Sequence, residues 1–210
     1  MGVDEVASEL NPTIGEKRTT ELYRTLLGLL ARGEPVSPDD LTAASGLPAD
    51  EVRRELTEFA DLETDEHGRI VGYGLTLRPT PHRFTVDGHH IYTWCALDTL
   101  VFPALLGQAA SVESPCQATG IPIRVEVHPS AGVTSVEPPA AVVSIVTPGQ
   151  LTSLRTAFCN QVHFFSSGQA AQPWLEDHPD ASVLTVAEAH RIGQTLIPTL
   201  LGTTTDHDCC

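Results

Sequence analysis

The sequence predicts an α+β protein: an N-terminal winged-helix-like part of three helices, then a second domain of mostly antiparallel strands with helices. Leucines at helical spacing and helix-capping residues fill the first sixty positions. From about residue 80 the pattern changes to short alternating runs broken by turn residues. Strands that follow one another without long crossovers favour antiparallel pairing, and no internal repeat is visible.

Residues 1–17 are polar and are expected to be disordered. Over 18–32, Leu22, Leu26, Leu29 and Leu30 recur at helical spacing, and Gly33 is a stop signal. Ser37 reads as the N-cap of a second helix with Pro38 at its first position. Gly46-Leu47-Pro48 turns the chain into a third helix over 48–60, carrying Val52, Leu56 and Phe59. Asp65–Gly74 is hairpin-like and completes the winged-helix pattern. Arg83–Val86 and His90–Tyr92 alternate around Asp87-Gly88, a strong hairpin signal. Residues 95–106 form an apolar helix containing Pro103. Strands are expected at Ser111–Glu113, Ile121–Val127, Val133–Val136 and Ala141–Val146. A helix follows from Thr147 to about Phe158, then a strand at Val162–Phe165, then helices near 170–177 and 186–201. The division is 1–80, 81–202 and a polar tail, 203–210, ending Cys209-Cys210.

The formal charge of −15 over 210 residues argues against nucleic acid or an anionic membrane surface as partner. Residues 1–80 hold 8 Lys/Arg against 16 Asp/Glu. The third helix, which would read DNA in a winged helix, carries Asp50, Glu51, Glu55 and Glu58 against Arg53 and Arg54. No run of about 18 apolar residues exists to span a membrane, and the first residues lack a signal-peptide pattern, so a cytoplasmic location is expected. Five cysteines, an odd number, favour metal or catalytic use over a disulfide framework in such a compartment.

Cys95 and Asp98 lie three residues apart at a helix start and therefore share a face. Helix N–H groups and the dipole there are expected to lower the Cys95 thiol pKa. Asp98 is the sole charge before Gly107 on an apolar helix, costly if buried without a role. A thiolate nearby would raise its pKa, which suits a proton carrier. Cys159 is expected at a helix C-terminus, which disfavours a thiolate, with Arg155 one turn earlier as an offset. Two thiols and a carboxylate suit a soft metal. His163 reads as a satisfied structural histidine, since no paired zinc-type ligands accompany it. Cys116, in a turn, reads as a packed thiol. Cys209 and Cys210 are accessory thiols at most. P-loop, GxGxxG, HExxH and GxSxG motifs are absent.

Four segments give the chain its resemblance: Gly72-Tyr73-Gly74-Leu75-Thr76-Leu77-Arg78, the WCALDTLxFPALxG pattern of Trp94–Gly107, Cys116-Gln117-Ala118-Thr119-Gly120, and the FCxxVHFF pattern of Phe158–Phe165. In this order they resemble the organomercurial (alkylmercury) lyase family of bacterial mercury resistance. The resemblance implies a winged-helix-like part that does not read DNA, and a catalytic domain at 81–202. It implies that Cys95, Asp98 and Cys159 are the functional trio, and that Cys116 is structural. Some relatives carry a cysteine where this chain has Asn160. The implied reaction is protonolysis of the carbon–mercury bond of R–Hg⁺ to R–H and Hg(II). Cys95 and Cys159 would bind mercury, and Asp98 would carry the proton and touch the Hg(II) product. No organic cofactor is expected. External thiols would be needed for turnover, the substrate would arrive as a thiol adduct, and a mercuric reductase would take the product. A soft-metal (mercury or copper) binding protein without bond cleavage is the alternative. A metal-responsive regulator and a cysteine hydrolase fit less well, because the third helix is acidic and no histidine base is placed beside Cys95.

Overall fold

The computed structural model describes residues 20–146 and 154–200, without the side chains of Thr20, Leu154 and 196–200. The expectations for 1–17, for the helix start at Thr147 and for the tail 203–210 lie outside these residues.

Three helices come first: α1 (Thr20–Leu30), α2 (Pro38–Ser45) and α3 (Ala49–Leu56). Leu22, Tyr23, Leu26, Leu27 and Leu30 are all buried, which places one stripe of α1 in the core. Ser37 caps α2 as expected. Its Oγ accepts from the Asp40 N–H at 3.1 Å, and the Asp40 carboxylate accepts from the Ser37 N–H, also at 3.1 Å, a reciprocal capping box. The regular part of α3 ends at Leu56, short of the expected residue 60, and the chain leaves through turn bonds such as Thr57 N–H to Arg54 C=O.

Strands β1 (Glu63–Thr64) and β2 (Ile70–Tyr73) form the wing-like hairpin. At its turn the Asp65 carboxylate accepts from the His67 and Arg69 N–H groups. Next come β3 (Leu75–Thr76), β4 (His82–Val86), β5 (His89–Thr93), the helix α4 (Ala96–Leu106), β6 (Ala110–Pro115), β7 (Pro122–His128) and β8 (Gly132–Glu137). They join one sheet in the order β1-β2-β3-β5-β4-β6-β7-β8, antiparallel at every step. The β4–β5 turn is the expected Asp87-Gly88, with φ of 48° and 77°, the left-handed pair a tight hairpin requires.

A second sheet has the order β10-β9-β11, from β9 (Val142–Ile145), β10 (Phe164–Phe165) and β11 (Ser182–Thr185). Between β9 and β10 lie the helical turn α5 (Leu154–Ala157) and a 3-10 turn, Cys159–Gln161. This turn uses up the start of the expected Val162–Phe165 strand: the Val162 N–H closes back on the Cys159 carbonyl, so only Phe164 and Phe165 pair with β9. Helices α6 (Gly168–Asp177) and α7 (Val186–Leu200) complete the chain, with β11 unexpected between them. α4 is apolar on nearly every side and mostly buried, the pattern of a central helix. It contacts α1, α7 and the large sheet.

Candidate active site

The chain leaves β5 and turns into α4 at Cys95, the helix N-cap, in extended conformation (φ −145°, ψ 170°). Thr93 Oγ1 fixes this corner by donating to the Cys95 carbonyl at 2.9 Å, and the Trp94 N–H donates to the Gly74 carbonyl at 2.9 Å. One turn into the helix, Asp98 shares the face of Cys95; its side chain is half-buried.

Cys159 reaches the same place from the far end of the chain. The Ala96 N–H, directly after Cys95, donates at 3.1 Å to the carbonyl of Val162, the residue that closes the Cys159 turn. That bond ties the start of α4 to the Cys159 turn. One sulfur from each cysteine and one carboxylate oxygen of Asp98 all lie within 4.8 Å of one another. Cys95 is fully buried and Cys159 is 2% exposed. Two thiolate–metal bonds of about 2.3 Å, the length found for zinc, span about 4.6 Å in a line, so one soft ion fits between the sulfurs.

The Cys95 thiol behaves opposite to expectation. Burial pushes its pKa well above the ordinary thiol value; the Cys159 thiol, hydrogen-bonded to it, and the Asp98 charge push the same way. Only the Asp98 main-chain N–H opposes them. Desolvation outweighs the helix terminus because water is excluded and two of the neighbours are themselves acidic. Cys95 therefore waits as a neutral thiol.

Cys116 lies apart from the trio. Its sulfur accepts from the Ser166 N–H at 3.2 Å. Burial raises its pKa, but donors from Thr119 and Ser166 outweigh that and bring it down to about 7. His163 is not among the grouped ligand atoms. Its N–H donates to Ser144 Oγ and its ring meets Trp174 edge-on at 6.4 Å. Burial lowers its pKa. Cys209 and Cys210 lie outside the described residues.

The sequence reading missed Glu63, Thr76 and the environment of Arg155. Glu63 is a buried carboxylate ion-paired with the Arg155 guanidinium, which lies over the Trp94 ring at 5.0 Å from its centroid. The partners are 92 positions apart, and no local pattern links them.

The family described as alkylmercury lyase matches residues 75–198, and the helix-turn-helix domain of alkylmercury lyase matches residues 5–74. An alkylmercury lyase of Streptomyces lividans is 56% identical, covering 90% of this chain and 87% of that protein. One from Staphylococcus epidermidis is 53% identical over 92% and 91% respectively. One from Pseudomonas putida is 43% identical over 94% and 92%. A crystal structure described as the mercury-bound form of MerB2 shares the fold with a TM-score of 0.76. It is 23% identical and covers 94% of this chain and 99% of its own.

Proposed function

The chain belongs to the alkylmercury lyase family, and we propose that Cys95, Cys159 and Asp98 carry the reaction of that family here. The protein is an organomercurial lyase that cleaves the carbon–mercury bond of R–Hg⁺ by protonolysis. The observation that carries the residue assignment is the clustering of two buried sulfurs and one carboxylate within 4.8 Å.

The atoms balance without any change in oxidation state. R–Hg–SR′ arrives on a small thiol. Mercury prefers thiolate and exchanges onto one cysteine, whose proton leaves with R′S⁻ as R′SH. The second cysteine then adds to mercury and gives its proton to Asp98. Two thiolates raise electron density at mercury and at the bound carbon. Asp98 delivers its proton to that carbon as the carbon–mercury bond breaks. The products are R–H and Hg(II) held by Cys95 and Cys159, with Asp98 beside it.

Because Cys95 is a neutral thiol at rest, mercury binding must displace its proton, and a carboxylate on the same helix face is placed to take part. Burial also keeps water away from the polarised bond.

On this reading external thiols remove the product, and a mercuric reductase consumes it. Cys209 and Cys210 are at most accessory to that transfer. Residues 81–202 form the catalytic part and 1–80 support it; the acidic α3 argues against DNA as a partner. Among the described residues no helix is long and apolar enough to cross a membrane; a cytoplasmic location belongs to the proposal.

The test is direct. The purified chain is incubated with methylmercury or phenylmercury and excess thiol, and methane or benzene is measured. Hydrocarbon release above the thiol-only rate is expected. Stoichiometric mercury binding without hydrocarbon would instead identify a soft-metal binding protein.

A further inference from the structure

We infer that Glu63 is a positioning residue for the two-thiol site and acts through Arg155. The inference rests on the assignment of Cys95 and Cys159 as the mercury-binding pair.

Glu63 sits on β1, outside the region that holds the thiols, and its side chain is 5% exposed. Both carboxylate oxygens are used. Oε2 accepts from Thr76 Oγ1 at 2.5 Å, and Oε1 is ion-paired with Arg155 Nη1. The sequence leaves room for this carboxylate at Gly72, where a Cβ would collide with Glu63 Oε2 and lie 2.7 Å from Thr76 Oγ1. A buried ion pair is weak grounds for stability, because desolvation offsets most of the attraction. What it fixes is the direction of a planar guanidinium.

That direction matters because of what Arg155 touches. Its guanidinium lies over Trp94, and its main-chain N–H donates to Asp61 Oδ2 at 3.2 Å. The Trp94 ring also meets Tyr73 edge-on at 5.5 Å, and Tyr73 stacks on Phe59 at 4.5 Å. Trp94 directly precedes Cys95, and Arg155 stands one helical turn before Cys159. One side chain therefore joins the segments carrying the two thiols, and the N-terminal part anchors it through Glu63 and Asp61. The helix-turn-helix part thereby gains a task that needs no nucleic acid: it holds the two sulfurs at bridging distance.

Glu63→Gln keeps the shape and an acceptor for Thr76 while removing the charge that orients Arg155. In the full chain, kcat for hydrocarbon release should fall roughly ten- to a hundredfold, as for a displacement of about 1 Å at a reacting group, with KM little changed. The ultraviolet sulfur-to-mercury band of bound Hg(II) should be lost at lower concentrations of a competing dithiol than in the wild type. Arg155→Lys, which keeps the charge without the planar fork, should move both readouts the same way. Wild-type kcat and wild-type mercury retention in Glu63→Gln would overturn the inference, even with a lowered Tm, because the pair would then be structural only. Should Glu63→Gln fail to fold, Thr76→Val removes one restraint on the carboxylate, leaves both charges, and must shift the same readouts in the same direction. If the wild type releases hydrocarbon and the variants match it, this inference alone fails. If the wild type releases none, the lyase reading fails, and mercury retention still tests the clamp.

Discussion

Cys95 and Cys116 are both buried thiols, at 0% and 1% exposure, yet their surroundings differ in kind. Cys116 is cradled by donors from Thr119 and Ser166, which hold its pKa down to about 7 although burial alone would raise it. Cys95 faces a second thiol and a carboxylate, and burial with these neighbours drives its pKa up. If ease of ionisation marked the reactive cysteine, Cys116 would be the choice. The geometry brings Cys95, not Cys116, together with a second sulfur and a carboxylate within 4.8 Å, and on the proposed mechanism mercury itself displaces the thiol protons. The lesson is that a soft-metal site is recognised by a second sulfur at bridging distance and a group that moves protons.

The sharpest way to break this contrast is to remove either sulfur of the pair. Cys95→Ser and Cys159→Ser should each lower hydrocarbon release at least about a thousandfold, toward the thiol-only background, as when one member of a cooperating set is lost. Substantial turnover by either variant would end the two-thiol reading. Next in size is Asp98→Ala, which should bind organomercury but release hydrocarbon about 10²–10⁴-fold more slowly, the range for loss of a positioned acid. Rapid-quench product analysis distinguishes this from a binding defect; cleavage at the normal rate would remove Asp98 from the proton path.

A smaller effect belongs to the Cys116 side. His82 is buried and hydrogen-bonded to Ser114 Oγ at 2.6 Å, two positions before Cys116. Burial, aided by His163, lowers its pKa to about 3. Above about pH 6.5 the ring is neutral in both folded and unfolded chains. As pH falls toward 3, the unfolded chain takes up a proton that the folded one refuses. Stability should therefore decline across that window by at most about 1.4 kcal/mol per pH unit. Urea midpoints at pH 7 and pH 5 check this, and His82→Gln should flatten the dependence; identical slopes would show that other groups dominate. The smallest expected change is in the turnover of Cys116→Ser. It should stay within about twofold of wild type while stability drops about 1 kcal/mol, the scale of a weakened buried hydrogen bond. A large loss of turnover at constant stability would erase the distinction between the two thiols.

Half of the site could be read locally. Cys95 at a helix start and Asp98 on the same face follow from helix periodicity, and the structure keeps both while moving Cys95 from the first helical residue to the N-cap. The Ser37 N-cap and the Asp87-Gly88 hairpin were equally legible, because each depends on residues within a few positions. The thiol pKa was misread because a helix terminus is a sequence feature, whereas desolvation depends on what the remainder of the chain stacks over it. The strand at Val162 was overextended because apolar residues suit either a strand or the buried end of a 3-10 turn. β11 was missed although its residues pair with β9.

The sequence by itself determined most element types, though not β11 or the turn at Cys159, together with the acidic character that disfavours nucleic acid, the shared face of Cys95 and Asp98, and through its motifs the resemblance to a lyase family. Those are matters of periodicity, charge and pattern, which act over a turn or two of chain. Only the tertiary structure decided that Cys159 meets Cys95, through the Ala96-to-Val162 hydrogen bond, and that Glu63 reaches Arg155. Contacts between distant positions depend on strand order and packing, which are settled by burial and pairing across the whole chain rather than within a turn or two.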